Sequence, residues 1–375
     1  MFTNHQASRD FEARPNLRAA VGALVCATLV TTGVAHAQTR PDSAPVASPT
    51  ASVPAGAVAV PAATLNAIKA RGHLICGVGG DRPGFSFPDS KGVMRGFDAD
   101  VCRSVAAAIF GSGEKVRFVT LTSLTRFPAL QSGEVDIVAR FTTWSLTREA
   151  QLGLEVPAIQ FYDGQGFIAK KKAGLKSALD LSGASVCFQP GSSGESNVAD
   201  YFRANKMEMK PVIIEKMEQM RDAIVSGRCD VYTNDTAQLA SFKASIGAAG
   251  NDYAVLPEII SKEPLGAFIR KGDQRFFDLV RWTHAVTLNA EEFGMTAANI
   301  EKFRNNSNPA IQRFMGETGD LGQALGVDAQ WAVNIVKAVG NYAEMYDRSI
   351  SPLGLQRGLN RLLKDGGIQY AGPMR

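Results

Sequence analysis

Ala184-Ser185-Val186-Cys187-Phe188, the turn Pro190-Gly191-Ser192-Ser193-Gly194, the segment Ser196 to Asn205 and then Pro211-Val212-Ile213-Ile214 read as strand, turn, helix, strand. Short apolar runs bounded by turn residues mark buried strands. A helix from Met217 to Ser226 and the strand Cys229-Asp230-Val231-Tyr232-Thr233 extend the unit. The same order occurs upstream. Leu74-Ile75-Cys76-Gly77-Val78 is a strand, and Val101, Val105 and Ile109 give the next helix its apolar stripe. Val116 to Leu121 is β-rich, Arg126 to Ser132 is a short helix stopped by Gly133, and Val135 to Ala139 is a buried strand. In both halves a glycine (Gly133, Gly227) closes a helix just before a strand. Two such series imply an α/β protein with two mainly parallel sheets, one per lobe, flanked by helices. The tail from Gln274 is mostly helical. Ligands of open α/β sheets bind beyond the carboxyl ends of the strands, which places a site in the cleft between the lobes.

The N-terminus reads as an address. Arg9, Arg14 and Arg18 precede an apolar run from Ala19 to Val34, and Ala35-His36-Ala37 is an A-x-A cleavage site. Residues 1–37 are expected to be a signal peptide cleaved after Ala37. Residues 38–63 are rich in Pro, Ala, Ser and Val without a helical or strand period, as in a flexible linker.

Of the 375 residues, 45% are hydrophobic and 20% charged, which excludes wholesale disorder. Net charge is +4 with both signs interspersed, so nucleic acid is not an expected partner. Apart from Cys26 there are four cysteines and no C-x-x-C, and His73 and His284 are the histidines left beyond residue 37, so no metal site is expected. In an oxidising compartment the expected pairs are Cys76–Cys102 and Cys187–Cys229, each local to one lobe.

The series Gly96-Phe97-Asp98-Ala99-Asp100, Leu130-Gln131-Ser132-Gly133-Glu134-Val135-Asp136 and Thr142-Thr143-Trp144-Ser145-Leu146-Thr147-Arg148 resembles the amino-acid-binding proteins of bacterial ABC importers, periplasmic solute-binding protein family 3. With Tyr162 to Phe167, Glu258 to Gly266, Gly340-Asn341-Tyr342 and Arg357 to Asn360, it is most similar to the general L-amino-acid binding protein subgroup. The resemblance spans about residues 64–375. It implies a two-lobed periplasmic-binding-protein fold, type II-like, with two α/β lobes joined by two crossing strands and a helical C-terminal tail. Residues 64–165 plus 267–375 would form lobe 1 and residues 166–266 lobe 2. The crossing strands near Gly164–Lys170 and Glu263–Phe268 would supply the hinge. The implied function is capture of free L-amino acids in the periplasm by a monomer that delivers them to an inner-membrane ABC permease and its ATPase.

A free amino acid is a zwitterion, so its receptor needs a fork-shaped cation, backbone N–H groups and an anion. Arg148 offers the fork, because guanidinium matches a carboxylate with two parallel bonds. By the resemblance it matches the family's carboxylate-binding arginine, with Thr143 as the neighbouring hydroxyl and Thr142 beside it. The turn Gly191-Ser192-Ser193 opens a helix, whose free N–H groups favour an anion. It stands where relatives carry a Gly-Thr-Thr-like turn. An N-cap role for Ser193 is the bland alternative. Asp235 matches the aspartate that holds the ammonium, with capping of the following helix as its alternative. Asp100 and Asp136 read as structural. Phe85 and Phe87 are candidate pocket walls. Arg82 and Arg140, if both face the pocket, favour Glu, Gln or Asp side chains.

An enzyme is the competing class, since relatives of this fold include dehydratases acting on cyclic amino-acid precursors. Gly77-Val78-Gly79-Gly80-Asp81-Arg82 breaks G-x-G-x-x-G, Gly191-Ser192-Ser193-Gly194 is not G-x-S-x-G, and no carboxylate pair is marked by spacing. No catalytic residue and no cofactor are expected.

Overall fold

The computed structural model describes residues 62–375. The signal segment and the linker up to residue 61 lie outside the described residues. Ala63, assigned to the linker by composition, is instead the first residue of helix Ala63–Arg71, because Leu65 and Ile68 share a face and are both buried.

Leu74–Val78 is the centre of a three-stranded parallel sheet, between Val116–Thr120 and Ile137–Val138. The second sheet has five strands in the order Lys210–Ile213, Ser185–Phe188, Val231–Asp235, Gln165–Lys170 and Tyr253–Val255. Gln165–Lys170 is antiparallel to both of its neighbours, so one strand of an otherwise parallel sheet runs backwards. It is the strand that arrives from the first lobe.

The crossing pair differs from expectation in one strand. Glu263–Leu265 pairs antiparallel with Phe161–Asp163, opposite residues being Asp163 and Glu263. Gln165–Lys170 belongs to the sheet of the second lobe, so the crossing ends by Gly164. The C-terminal segment braces this crossing. Asn360 both accepts from Tyr162 N–H (2.7 Å) and donates to Tyr162 C=O (2.9 Å), and the Tyr342 hydroxyl donates to Gln160 C=O (2.8 Å).

Helix boundaries follow local chemistry. Arg126–Ser132 and Met217–Ser226 end at Gly133 and Gly227, with φ of 81° and 82°, a left-handed conformation that glycine adopts without a Cβ clash. The helix expected from Ser196 begins earlier, as Ser193–Ala204, with Ser192 extended at its N-cap. Glu195 in its first turn accepts Gly191 N–H at 2.9 Å. One core joins Cys76, Val101 and Val105 to Leu279, Trp331, Ile335 and Tyr342, so the C-terminal helices share the core of the first sheet.

Cys76 and Cys102 form a disulfide-distance pair tying the central strand to helix Phe97–Phe110, with Cα atoms 6.3 Å apart. Cys187 and Cys229 do the same in the second lobe at 5.8 Å. These links are separated by 26 and 42 residues, for which loop closure predicts roughly 3–4 kcal/mol of stabilisation each. Cys187→Ser should lower the free energy of unfolding, read from a denaturant titration, by roughly that amount. Non-reducing peptide mapping of the parent should recover the two local pairs; a Cys102–Cys187 link would refute them.

Candidate functional site

A narrow cavity of about 20 Å3 lies where both lobes meet, lined among others by Arg82, Arg126, Arg140 and Arg148 from the first lobe and by Ser192, Ser193 and Asp235 from the second. A larger hollow of about 320 Å3 near Pro157, Trp282 and Tyr370 shares no lining residue with it and holds no acidic side chain. The charged chemistry therefore sits in the smaller cavity.

Arg148 lies in the short helix Leu146–Gln151 capped by Ser145. Its Nη1 donates to Thr143 C=O at 2.7 Å, and its guanidinium lies 5.3 Å from the centre of the Phe127 ring. Thr143 donates its hydroxyl to Glu263, and its Oγ1 lies 3.0 Å from Ser193 Oγ across the cleft. Ser193 is the first residue of its helix rather than the N-cap, and its hydroxyl donates to Glu263 at 3.0 Å.

Asp235 ends strand Val231–Asp235 and stands at the N-cap of helix Thr236–Ser245, yet its side chain caps nothing. Asp163 from the crossing strand does that work, accepting the Ala237 N–H at 2.9 Å and the Thr236 hydroxyl. The carboxylate of Asp235 is left for the cavity. Burial, then Glu263 and Asp163, push it well above the ordinary carboxyl range, against the pull of Arg148 and Arg82.

Arg82 and Arg140 both face the cavity. Arg82 is 3% exposed and reaches across to Gln189, Nη2 to Oε1, at 2.7 Å. Arg140 donates through Nε to Leu121 C=O (2.7 Å) and through Nη1 to Ser123 Oγ (3.1 Å). Burial lowers it to about 9, with Arg82 adding repulsion. Arg126 stands outside the residues expected from sequence. It donates to Gly191 C=O across the cleft at 3.0 Å and is held well below its ordinary pKa by burial and by Arg140, Arg148 and Arg82. Its signal was positional, because it opens the helix just past the carboxyl end of Val116–Thr120.

Four expected residues lie elsewhere or serve otherwise. Thr142 donates to Arg140 C=O and does not line the cavity. Gly191 offers no free N–H, since Glu195 takes it, and its carbonyl serves Arg126 instead. Phe85 is wholly buried, 4.3 Å edge-on to Phe141, and Phe141 is the actual wall. Phe141 has φ of 45°, a strained conformation for a bulky residue. Phe87 is half-exposed in a hairpin with Arg95. Asp100 pairs with Arg348 and Arg103, and Asp136 with Arg71 and Ile75 N–H, as structural groups.

Asp98 is the unexpected titrating group. Burial pushes it up to about 7, opposed by Arg82, the Phe141 N–H and Arg140. Between the ordinary value of 3.8 and about 7 the folded state keeps a proton that the unfolded chain has released. Its contribution to stability is therefore lost as pH rises through that window. Asp98→Asn should gain stability relative to the ligand-free parent as pH rises from 5 to 8. Melting curves at pH 5, 6, 7 and 8 check this, and a constant difference between the two proteins would refute it.

The family model for bacterial extracellular solute-binding proteins, family 3, matches residues 74–348. The chain is 46% identical over 325 residues to the general L-amino acid-binding periplasmic protein AapJ of Rhizobium johnstonii, covering 85% of this chain and 95% of that protein. It is 45% identical over 321 residues to the glutamate/glutamine/aspartate/asparagine-binding protein BztA of Rhodobacter capsulatus, covering 84% and 95%. A solved structure of an ABC transporter periplasmic binding protein from Brucella ovis with glutathione bound is 50% identical, with a TM-score of 0.81 over 83% of this chain and 99% of that one. Two lobes joined at a crossing pair, a polar cavity between them and these matches together make the chain a member of the bacterial extracellular solute-binding proteins, family 3.

Proposed function

We propose that the chain is the periplasmic capture component of an ABC importer for free L-amino acids, preferring those with acidic or amide side chains. The observation that carries this reading is the charge arrangement of the cavity: four buried arginines from one lobe face one uncapped aspartate from the other. Arg148 would grip the α-carboxylate with its guanidinium, helped by backbone N–H groups of Ser192 and Ser193 at the start of helix Ser193–Ala204 and by the Thr143 hydroxyl once it turns from Glu263 to the ligand. Asp235 would hold the ammonium, which also returns it to its charged form. Arg82, Arg126 and Arg140 remain for the side chain, and their surplus positive charge fits a ligand with a second oxygen-bearing group.

Capture and closure are one event in this scheme. Arg82–Gln189, Arg126–Gly191 and Ser241–Pro83 hydrogen bonds already span the cleft, and Thr143 and Ser193 donate to Glu263 from its two sides. A ligand paired with both lobes adds to them and shifts the population towards the closed form. The closed monomer would then dock on an inner-membrane permease driven by its ATPase. The signal peptide would direct export and be cleaved after Ala37. A γ-glutamyl peptide such as glutathione, bound by the Brucella ovis protein, presents the same zwitterion and is the second ligand to test. The dehydratase alternative has no support from its relatives, which are named as binding proteins.

Isothermal titration with glutamate, glutamine, leucine and glutathione tests the reading. Arg148→Ala and Asp235→Asn should weaken every amino acid by roughly 30-fold to several thousand-fold, the cost of truncating one partner of a buried charged pair. Arg82→Leu should weaken glutamate while leaving leucine nearly unchanged. Parent-like binding of all ligands by Arg148→Ala would refute the assigned carboxylate site.

For the ligand-free protein, amino acids that bind should raise the melting temperature. A ligand at about 100 times its dissociation constant adds roughly 2.7 kcal/mol. A screen in which none of the twenty moves the transition would overturn the proposed function.

A further inference from the structure

Gln238, on helix Thr236–Ser245 one turn beyond Asp235, lines the cavity and is 3% exposed. Its side-chain Nε2 is buried and has no hydrogen-bond partner. On the facing lobe, Nε of Arg82 and Nε of Arg126 are likewise buried without a hydrogen-bond partner, as is Nη1 of Arg82, which lies 3.6 Å from Asp81 Oδ1. Buried donors are normally paired, so such a set aimed into one cavity marks where an acceptor on the ligand belongs.

The arginines can only donate. They suit a carboxylate, but the NH2 of a carboxamide would meet donors alone. An amide in the protein serves both cases, because it carries a donor and an acceptor and can turn over. Two other amides line the cavity, and both are already engaged. Gln189 accepts from Arg82 and donates to Glu215 C=O, while Asn234 donates to the Tyr232 hydroxyl and accepts from Asp235 N–H. Gln238 is the amide left free to turn.

We infer that Gln238 is the specificity residue that lets one cavity take both acidic and amide side chains: it donates Nε2–H to a ligand carboxylate and, turned over, accepts from a ligand carboxamide through Oε1. This rests on the function proposed above and names how its breadth is achieved. Removing the amide should therefore change the ratio of glutamine to glutamate affinity, in a direction set by what replaces it.

Isothermal titration of the full mature chain with glutamate, glutamine and alanine separates the outcomes. Gln238→Glu, an acceptor only, should lose roughly tenfold or more for glutamate and keep glutamine, raising the ratio. Gln238→Leu leaves only the arginine donors and should lose more for glutamine than for glutamate, lowering it. Gln238→Met replaces that arm if the leucine variant does not fold. Opposite movements of the ratio support the inference. A ratio that stays put, or moves the same way in both variants, overturns it even where all three ligands weaken together. A parent that binds neither glutamate nor glutamine overturns the proposed preference itself, and this inference with it.

Discussion

Four guanidinium groups held out of water in one cavity set the terms for everything else in this molecule. Taking an ion out of water costs several kcal/mol unless partners replace the lost hydration. Here the replacements are mostly neutral. Arg140 leans on Leu121 C=O and Ser123, Arg126 on Gly191 C=O, Arg148 on Thr143 C=O and Arg82 on Gln189. Carbonyls satisfy donors but cancel no charge. Of the carboxylates nearby, Asp98 and Asp235 are themselves pushed towards protonation by burial, and Asp81 lies 3.6 Å from Arg82 without a hydrogen bond to it. On the function proposed, a ligand bearing one or two carboxylates would relieve what the protein alone leaves uncompensated.

The crossing strands couple that site to the relative position of the lobes. Glu263, buried, sits opposite the half-buried Asp163 in the pair, and both carboxylates have hydroxyl and amide donors rather than cations as hydrogen-bond partners. Glu263 gathers Thr143 of one lobe and Ser193, Asn197 and Ser261 of the other. Asp163 caps the helix that follows Asp235, which releases Asp235 for the cavity. Site geometry and hinge geometry are thus set by the same few side chains. The C-terminal segment steadies the other flank of the crossing through Asn360 and Tyr342.

Local sequence was enough for the elements and for their order. Strand Leu74–Val78 and helices Arg126–Ser132 and Met217–Ser226 fall where apolar spacing and a following glycine place them. Apolar period and turn residues act within a few positions, so they are legible without the fold. The local cysteine pairs, and the candidates Arg148, Ser192, Ser193 and Asp235 at strand ends or helix starts, were legible for the same reason, helped by a family resemblance.

What the sequence could not decide was which side of a residue faces the cleft and what its partners leave free. Arg82 and Arg140 face inward, Arg126 joins them, and Phe141 rather than Phe85 forms the wall because its backbone turns at φ 45°. Asp235 is free only because Asp163, distant in sequence, caps its helix. Gln165–Lys170 runs backwards in its sheet because the crossing ends one residue before it. By itself the chain determined strands, helices, their two-fold series and the chemistry on offer, since these follow from neighbours in sequence. Only the tertiary structure decided the use of each polar group, because a hydrogen bond or a buried charge is settled by residues that come together from far along the chain.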